Sequence, residues 1–160
     1  MADFAHLMRK VLENSGSTKI SVQEEVDTLR LYLELEKLRS KDRFNYTISV
    51  SEDIAAFDVQ IPPLIIQPFV ENAIWHGILP LTDRIGEITI SIQRHSGNEL
   101  VISIADNGVG FDPDSKNNQH NSRGIEITEQ RIGEKVIVNS QKGTGTTISF
   151  KLVLLSIIIA

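Results

Sequence analysis

The sequence has no cysteine, which excludes disulfide bonds and thiolate-metal sites and fits a reducing compartment. It is also short of positive charge, because its formal net charge is −5 at pH 7, and this argues against a general nucleic-acid-binding protein. No apolar run reaches the roughly 20 residues of a membrane-spanning helix. The most apolar stretch predicts a final buried strand up to residue 154, followed by an apolar tail over residues 155–160.

The beginning of the chain lacks the uninterrupted apolar core of a signal peptide. Residues 2–14 instead predict an amphipathic helix. Ser21 followed by Glu24 is a capping box, and it predicts a second helix that runs to about Ser40. The apolar residues Val26, Leu29, Leu33 and Leu38 have near-helical spacing, and the charged stretch over residues 34–38 is expected to be solvated.

Alternation of apolar and polar residues predicts the strands of the remaining chain. Strands are expected over residues 44–50, 57–61, 85–94, 100–104, 135–140 and 146–154. One helix is expected to open at Pro62-Pro63 and to continue through Gly77 with a kink at Pro68, because proline inside a helix removes a hydrogen bond. Residues 115–122 predict a polar loop before a helix over residues 123–132. This order predicts an α/β two-layer sandwich, in which helices cover one face of a mixed sheet.

Two segments carry the chemistry of the sequence. Asn72 and His76 lie one helical turn apart, so both project from one face, where they can hold a hydrated divalent cation or a phosphate. About thirty residues later, Asp106 ends an apolar strand and is followed by Gly108 and Gly110. The carboxylate can accept a hydrogen bond from an exocyclic amine, and glycines let the backbone approach a flat ring. Together the segments predict a nucleotide pocket between a helix and a sheet.

These segments, with residues 24–39 and residues 61–68, resemble the ATP-binding domain of LytS-type sensor histidine kinases, in the superfamily of gyrase, the heat-shock chaperone ATPases and MutL. The resemblance covers nearly the whole chain. It implies the Bergerat ATP-binding fold over residues 42–154. It also implies that residues 1–41 are the end of a helical dimerisation and phosphoacceptor region, and that the chain is a fragment.

The resemblance also implies roles for individual residues. Asn72 is the expected Mg²⁺ ligand, Glu71 an acid that assists transfer or holds metal-bound water, and His76 a phosphate contact, and these three form the expected catalytic set. Asp106 is expected to read adenine, with Gly108 and Gly110 making room for the ring. Further cofactor contacts are expected from Asn107, Ser122, Gly124, Gly143, Gly145 and Thr146. Purely structural alternatives remain open, among them a locally packed Asn72, a partly buried His76 and a strand-forming Thr146.

Two departures from the family pattern bear on the expected chemistry. The usual glycine pair before the lid helix stands here as Ser122-Arg123-Gly124-Ile125, so the phosphate cradle differs, and Arg123 is either a phosphate contact or a surface residue. The gyrase and chaperone relatives carry a water-activating glutamate four residues before the metal asparagine, where this chain has Pro68. The resemblance therefore implies slow hydrolysis and favours phosphotransfer.

The implied function is transfer of the ATP γ-phosphoryl group to a histidine outside this chain, and onward to a response regulator. None of the four histidines stands in the family's acceptor motif. The expected partners are the phosphoacceptor region of the same or a partner subunit, the regulator, and a second copy in a full-length homodimer on the cytoplasmic side of the membrane; no nucleic acid is expected. The alternatives are a mechanical ATPase and a regulatory module without catalysis.

Overall fold

A computed structural model of the chain describes residues 6, 8, 9, 11, 16–112 and 119–154, with the side chains of residues 119–122 outside the description. Near the start, His6, Met8, Arg9 and Val11 are helical, in agreement with the predicted first helix. The rest of that helix and the apolar tail over residues 155–160 lie outside the described residues. In the part of the chain that is described, no helix is both long and apolar enough to cross a membrane.

Helix α1, Val22–Arg39, follows the two-residue strand β1, Ile20–Ser21. The predicted capping box is confirmed: the Glu24 amide donates to Ser21 Oγ at 3.1 Å, and the Ser21 amide donates to the Glu24 carboxylate at 2.7 Å. Leu38 is 69% exposed, although its spacing continues that of Val26, Leu29 and Leu33. The buried stripe continues from Leu33 to Glu36, which is 9% exposed, so the expected solvation of residues 34–38 is wrong at Glu36.

The main sheet has five strands: β2 (Phe44–Val50), β4 (Gly86–Ser96), β5 (Glu99–Asp106), β6 (Val136–Gln141) and β7 (Gly145–Val153). Their order is β2-β4-β5-β7-β6, with β2 parallel to β4 and the other pairs antiparallel. The predicted mixed sheet is therefore confirmed. The short strand β3, Gln60–Ile61, pairs with β1 outside this sheet.

The strand predicted over residues 57–61 is correct only at Gln60–Ile61. Phe57 is 77% exposed, and the amides of Asp58 and Val59 both donate to the Ala55 carbonyl at 2.9 Å. These bonds close a tight turn. The alternating pattern therefore continued through Asp58 and Val59, whose amides bond within a local turn and not to a neighbouring strand.

Helix α2, Gln67–Asn72, continues without a break into a π-helical segment, Ala73–Ile78. The predicted start at Pro62-Pro63 is wrong, because Leu64 has a positive φ of 56° that no helix accommodates. The late start puts Pro68 in the first turn, where its missing N–H removes no helical hydrogen bond. The expected proline kink is therefore also wrong. The irregularity lies instead in the π segment, a form often found at functional sites.

Helix α3, Gln119–Ile132, begins before the predicted start at residue 123. Residues 119–122 of the predicted polar loop are therefore helical, whereas residues 113–118 lie outside the description. A helix does not need an apolar residue in every turn, so the lack of apolar residues there was a weak indicator of a loop.

The core lies between one face of the main sheet and the helices. Alternate residues of β4 and β5 are fully buried on that face, including Ile88, Ile90, Ile102 and Ile104, each at most 2% exposed. Phe69 of α2 packs on Phe150 of β7, with ring centroids 5.6 Å apart. The helix that carries the predicted site residues is thus fixed against the sheet whose strands carry the others.

Candidate functional site

A cavity of about 230 Å³ lies between the helix that runs from α2 into the π segment and the ends of β5, β6 and β7. The helix and the sheet each contribute both polar and apolar side chains to its lining. The lining residues are Phe69, Asn72, Ala73, His76, Gly77, Ile104, Asp106, Gly110, Phe111, Ile125, Val138, Thr146 and Ile148.

Asp106 stands at the end of β5 and faces this cavity. Its Oδ1 accepts a hydrogen bond from the Gly108 amide at 2.8 Å. Burial raises the pKa of the Asp106 carboxyl from 3.8 to about 6, although hydrogen bonds from the Gly108 and Thr146 backbone oppose the shift. Because a carboxylate has acceptor capacity for several donors, Asp106 can accept one more hydrogen bond from a group inside the cavity.

The loop after Asp106 packs directly on the π segment. A Cβ atom on Gly108 would lie 2.4 Å from the Gly77 carbonyl carbon, and one on Gly77 would lie 2.8 Å from Asp106 Oδ1. The Val109 amide donates to the Gly77 carbonyl at 2.9 Å. Glycine at both positions therefore allows the acid to stand against the site helix with no side chain between them.

Two further glycines have backbone conformations that other residues rarely adopt. Gly110 has φ +57° and Gly145 has φ +125°. A Cβ at Gly110 would lie 2.0 Å from the Gln141 carbonyl oxygen, and one at Gly145 would lie 2.0 Å from the Asp106 carbonyl oxygen. The two glycine-containing turns are thus packed backbone to backbone at the end of the cavity that holds Asp106.

Asn72 and His76 both line the cavity, as the predicted shared helix face requires. Asn72 is half-buried and His76 is exposed. Glu71 does not line the cavity, and its Oε1 accepts a hydrogen bond from Gln67 Nε2 at 2.9 Å. Among the described residues, no group of three or more histidine, aspartate or glutamate side chains is arranged to hold a metal ion.

Thr146 lines the cavity from β7, and its Oγ1 lies 2.9 Å from Ser140 Oγ. Of the other expected cofactor contacts, Gly108 and Gly145 support the walls as described above, Gly143 is exposed in the turn between β6 and β7, and Gly124 lies on α3 beside the lining residue Ile125. The Ser122 side chain lies outside the described part of the chain.

Asn107 is turned away from the cavity. Its Oδ1 accepts a hydrogen bond from the Glu87 amide at 2.7 Å, and its Nδ2 donates to the Ile85 carbonyl at 3.4 Å. It therefore ties the loop after β5 to the start of β4 and does not line the cavity.

Sequence reasoning missed Arg84, which lies next to this loop. Its guanidinium donates to the carbonyl oxygens of Asn107, Gly108 and Gly143 at 2.7–3.2 Å, and so joins the two glycine-containing turns. No motif indicated this role, because the three acceptors are backbone atoms distant in sequence. The apolar walls were also missed, although the inward alternation of Ile104 and Ile148 was a usable signal.

Residues 57–156 match the sequence model of the family described as histidine kinase-, DNA gyrase B- and HSP90-like ATPase. The chain belongs to this family. Residues 1–44 match a second model, described as histidine kinase. The predicted resemblance to LytS-type kinases is confirmed: the chain is 31% identical over 148 residues to the sensor histidine kinase/phosphatase LytS of Staphylococcus aureus, covering 92% of this chain and 22% of LytS.

Two further proteins are similar to this chain, one in sequence and one in structure. YwpD of Bacillus subtilis is 30% identical over 157 residues, covering 92% of this chain and 55% of YwpD. The histidine kinase domain of the Erythrobacter litoralis EL346 blue-light activated kinase superposes with a TM-score of 0.60 at 20% identity, over 78% of this chain and 58% of that one, which supports the fold. The chain spans just over half of YwpD and about a fifth of LytS.

Proposed function

We propose that this chain is the ATP-binding catalytic domain of a sensor histidine kinase, which binds Mg²⁺-ATP and delivers its γ-phosphoryl group to a histidine outside the chain. One observation carries the proposal: a half-buried carboxylate, Asp106, faces a cavity with apolar walls between the site helix and the sheet. That arrangement suits a flat ring with an amine on its edge.

Adenine is bound at the Asp106 end of the cavity. Its exocyclic amine donates to the Asp106 carboxylate, which the Gly108 amide orients from the other side. Ile104 and Ile148 border the cavity from the sheet, and their apolar surface suits the faces of the ring. The Thr146 hydroxyl lies at the same end and can bond a ring nitrogen directly or through water.

Magnesium enters with the nucleotide. Mg²⁺ usually takes one or two protein oxygens together with phosphate oxygens and waters. The Asn72 amide oxygen is the donor that this cavity offers, and this fits a cation held mostly by phosphates. His76, exposed on the same helix, would contact a phosphate oxygen. Glu71 lies outside the cavity lining and accepts a bond from Gln67, so it would act on the metal only through a water.

The phosphates extend toward the start of α3. Because α3 begins at Gln119, Ser122 and Gly124 belong to the helix itself, and its first-turn amides are the donors available to anionic oxygens. Arg123 is exposed there and adds positive charge. In phosphoryl transfer such groups act by positioning and by charge stabilisation.

Transfer to another side chain is favoured over hydrolysis. Pro68 lies in the first turn of α2, four residues before Asn72, and has no group to activate water. The acceptor is a histidine in a helical region of the same or a partner subunit, to which residues 1–41 belong, while residues 42–154 form the ATP-binding unit. The phosphoryl group then passes to a response regulator. The full-length kinase acts as a homodimer, with this domain on the cytoplasmic side of the membrane.

Calorimetric titration with Mg²⁺ and a non-hydrolysable ATP analogue tests the proposal. We expect one site per chain and no binding of a pyrimidine triphosphate of equal charge, because the pyrimidine cannot fill the adenine end of the cavity. A parallel assay of phosphate release should give only slow turnover by the chain alone. Absence of binding, or steady and rapid ATP hydrolysis, would overturn the proposal.

A further inference from the structure

Glu25 is a buried acid that the site itself does not use. It lies on α1, is 1% exposed, and reaches across to the segment before α2. Its Oε2 accepts the Leu64 amide at 2.9 Å and its Oε1 accepts the Ile66 amide at 3.2 Å. Both oxygens of the carboxylate are thus used to hold the backbone that leads into the site helix.

The segment that Glu25 holds has an unusual conformation. Leu64 has a φ of +56°, which is costly for a residue with a side chain and persists only where its surroundings fix it. Ile66 occupies the N-cap position of α2 and offers no side-chain hydrogen bond to the first turn. A carboxylate at this end also complements the helix dipole. Glu25 therefore holds, from another helix, the backbone that leads directly into α2.

The same segment is held from its other side by α3. Arg131 Nη2 donates to the Pro63 carbonyl at 2.6 Å. Burial raises the pKa of the Glu25 carboxyl, and the backbone amides that it accepts and the Arg131 charge oppose that shift. Residues 62–66 are thus held by side chains of both α1 and α3. A displacement of α1 is transmitted through Glu25 to the start of α2.

We propose that Glu25 is a positioning residue that couples the placement of α1 to that of the helix carrying Asn72 and His76. The expected effect of this coupling on nucleotide binding rests on the proposed function. Asn72 is the sixth residue after Ile66, about 9 Å along the helix at 1.5 Å per residue, so a shift of Ile66 also moves the expected metal ligand. Because coupling is reciprocal, nucleotide at Asn72 must in turn steady α1.

A second contact joins the far end of α1 to the site helix. The Arg39 guanidinium lies over the Trp75 ring, 4.7 Å from its centroid. Trp75 is 41% exposed and the Arg39 side chain 63%, so this contact is open to solvent whereas the Glu25 contact is buried. Val22, Val26 and Leu29 are buried in the core and keep the first half of α1 in place. Loss of Glu25 should therefore uncouple that half from the start of α2 without releasing it from the core, and leave the last turn coupled.

Amide hydrogen exchange on the full chain, with and without Mg²⁺ and a non-hydrolysable ATP analogue, tests the coupling. In the wild type we expect nucleotide to slow exchange in the first half of α1 by roughly tenfold, equivalent to 1.4 kcal/mol. In Glu25→Gln, an amide NH₂ faces a backbone N–H and one bond is lost, so this slowing should fall to less than twofold. Glu25→Asp, which keeps the charge but is shorter, should give an intermediate value and serves if Glu25→Gln does not fold.

Ile92→Val is the matched control, because Ile92 is fully buried in β4 at a distance from the cavity. Ile92→Val should lower global stability but leave the nucleotide-dependent slowing of exchange in α1 intact. If Glu25 had only a structural role, Glu25→Gln would behave in the same way. Wild-type slowing retained in both Glu25 variants would overturn the coupling. If the wild type binds no nucleotide, the proposed function fails. The coupling is then measured by amide exchange over residues 72–78 in the absence of nucleotide. Glu25→Gln must accelerate that exchange relative to Ile92→Val.

Discussion

Replacing Asp106 by asparagine inverts the hydrogen-bonding character of one atom at the end of the cavity and changes almost no volume. The amide oxygen can still accept the Gly108 amide that now bonds Oδ1 at 2.8 Å. The new NH₂ group then faces the cavity, where the exocyclic amine of adenine also donates. Two donors meet, and one of them is left without a partner in a half-buried site.

The magnitude follows from that unsatisfied group. A buried donor without an acceptor costs about 1–3 kcal/mol. The Kd for an ATP analogue should therefore rise by roughly 5- to 150-fold. Inosine triphosphate carries a carbonyl where ATP carries the amine, so its oxygen can accept from the introduced NH₂. We expect Asp106→Asn to lose affinity for ATP and to gain affinity for inosine triphosphate relative to the wild type.

Calorimetry with both nucleotides at pH 7.5 measures the two changes on the same protein, and chemical denaturation verifies that the variant is folded. The reasoning is refuted if Asp106→Asn binds both nucleotides as the wild type does. It is equally refuted if both affinities fall by the same factor, since a general loss would indicate damage to the cavity and not a change in base recognition.

Three further predictions concern the same end of the cavity. Gly110→Ala should cost roughly 1–3 kcal/mol of unfolding free energy in urea titration, because its Cβ would meet the Gln141 carbonyl at a positive φ, whereas Gly97→Ala, in open space, should be neutral. Because burial raises the Asp106 pKa to about 6 and binding needs the ionised form, nucleotide Kd should be flat above pH 7 and rise about tenfold by pH 5, a rise that Asp106→Asn should lack. Arg84→Gln should weaken nucleotide binding by roughly two- to tenfold through loss of its carbonyl bonds, and an unchanged Kd would assign those bonds to the fold alone.

Local hydrogen bonding and side-chain alternation made much of the fold predictable. The Ser21–Glu24 capping box fixed the start of α1, and alternation located the strands of the main sheet. Prediction failed where long-range contacts override local preference. The start of α2 depends on Leu64 at positive φ, held by Glu25, and no pattern within residues 62–68 contains that information.

The site divides in the same way. Asn72 and Asp106 were predictable because each carries its chemistry in its own motif, and both line the cavity. The motif around Asp106 did not indicate that the Asn107 side chain bonds to β4, because the orientation of that side chain depends on Glu87, about twenty residues earlier. The role of Glu25 was hidden among the other charges of α1, where only burial distinguishes it.

The most direct test of the account is a crystal structure of the chain with Mg²⁺ and a non-hydrolysable ATP analogue. Adenine should lie between the site helix and the sheet, with its exocyclic nitrogen about 2.7–3.2 Å from the Asp106 carboxylate and the metal on the Asn72 side of the phosphates. A nucleotide bound elsewhere, or a cavity filled by the protein's own side chains at saturating nucleotide, would contradict it.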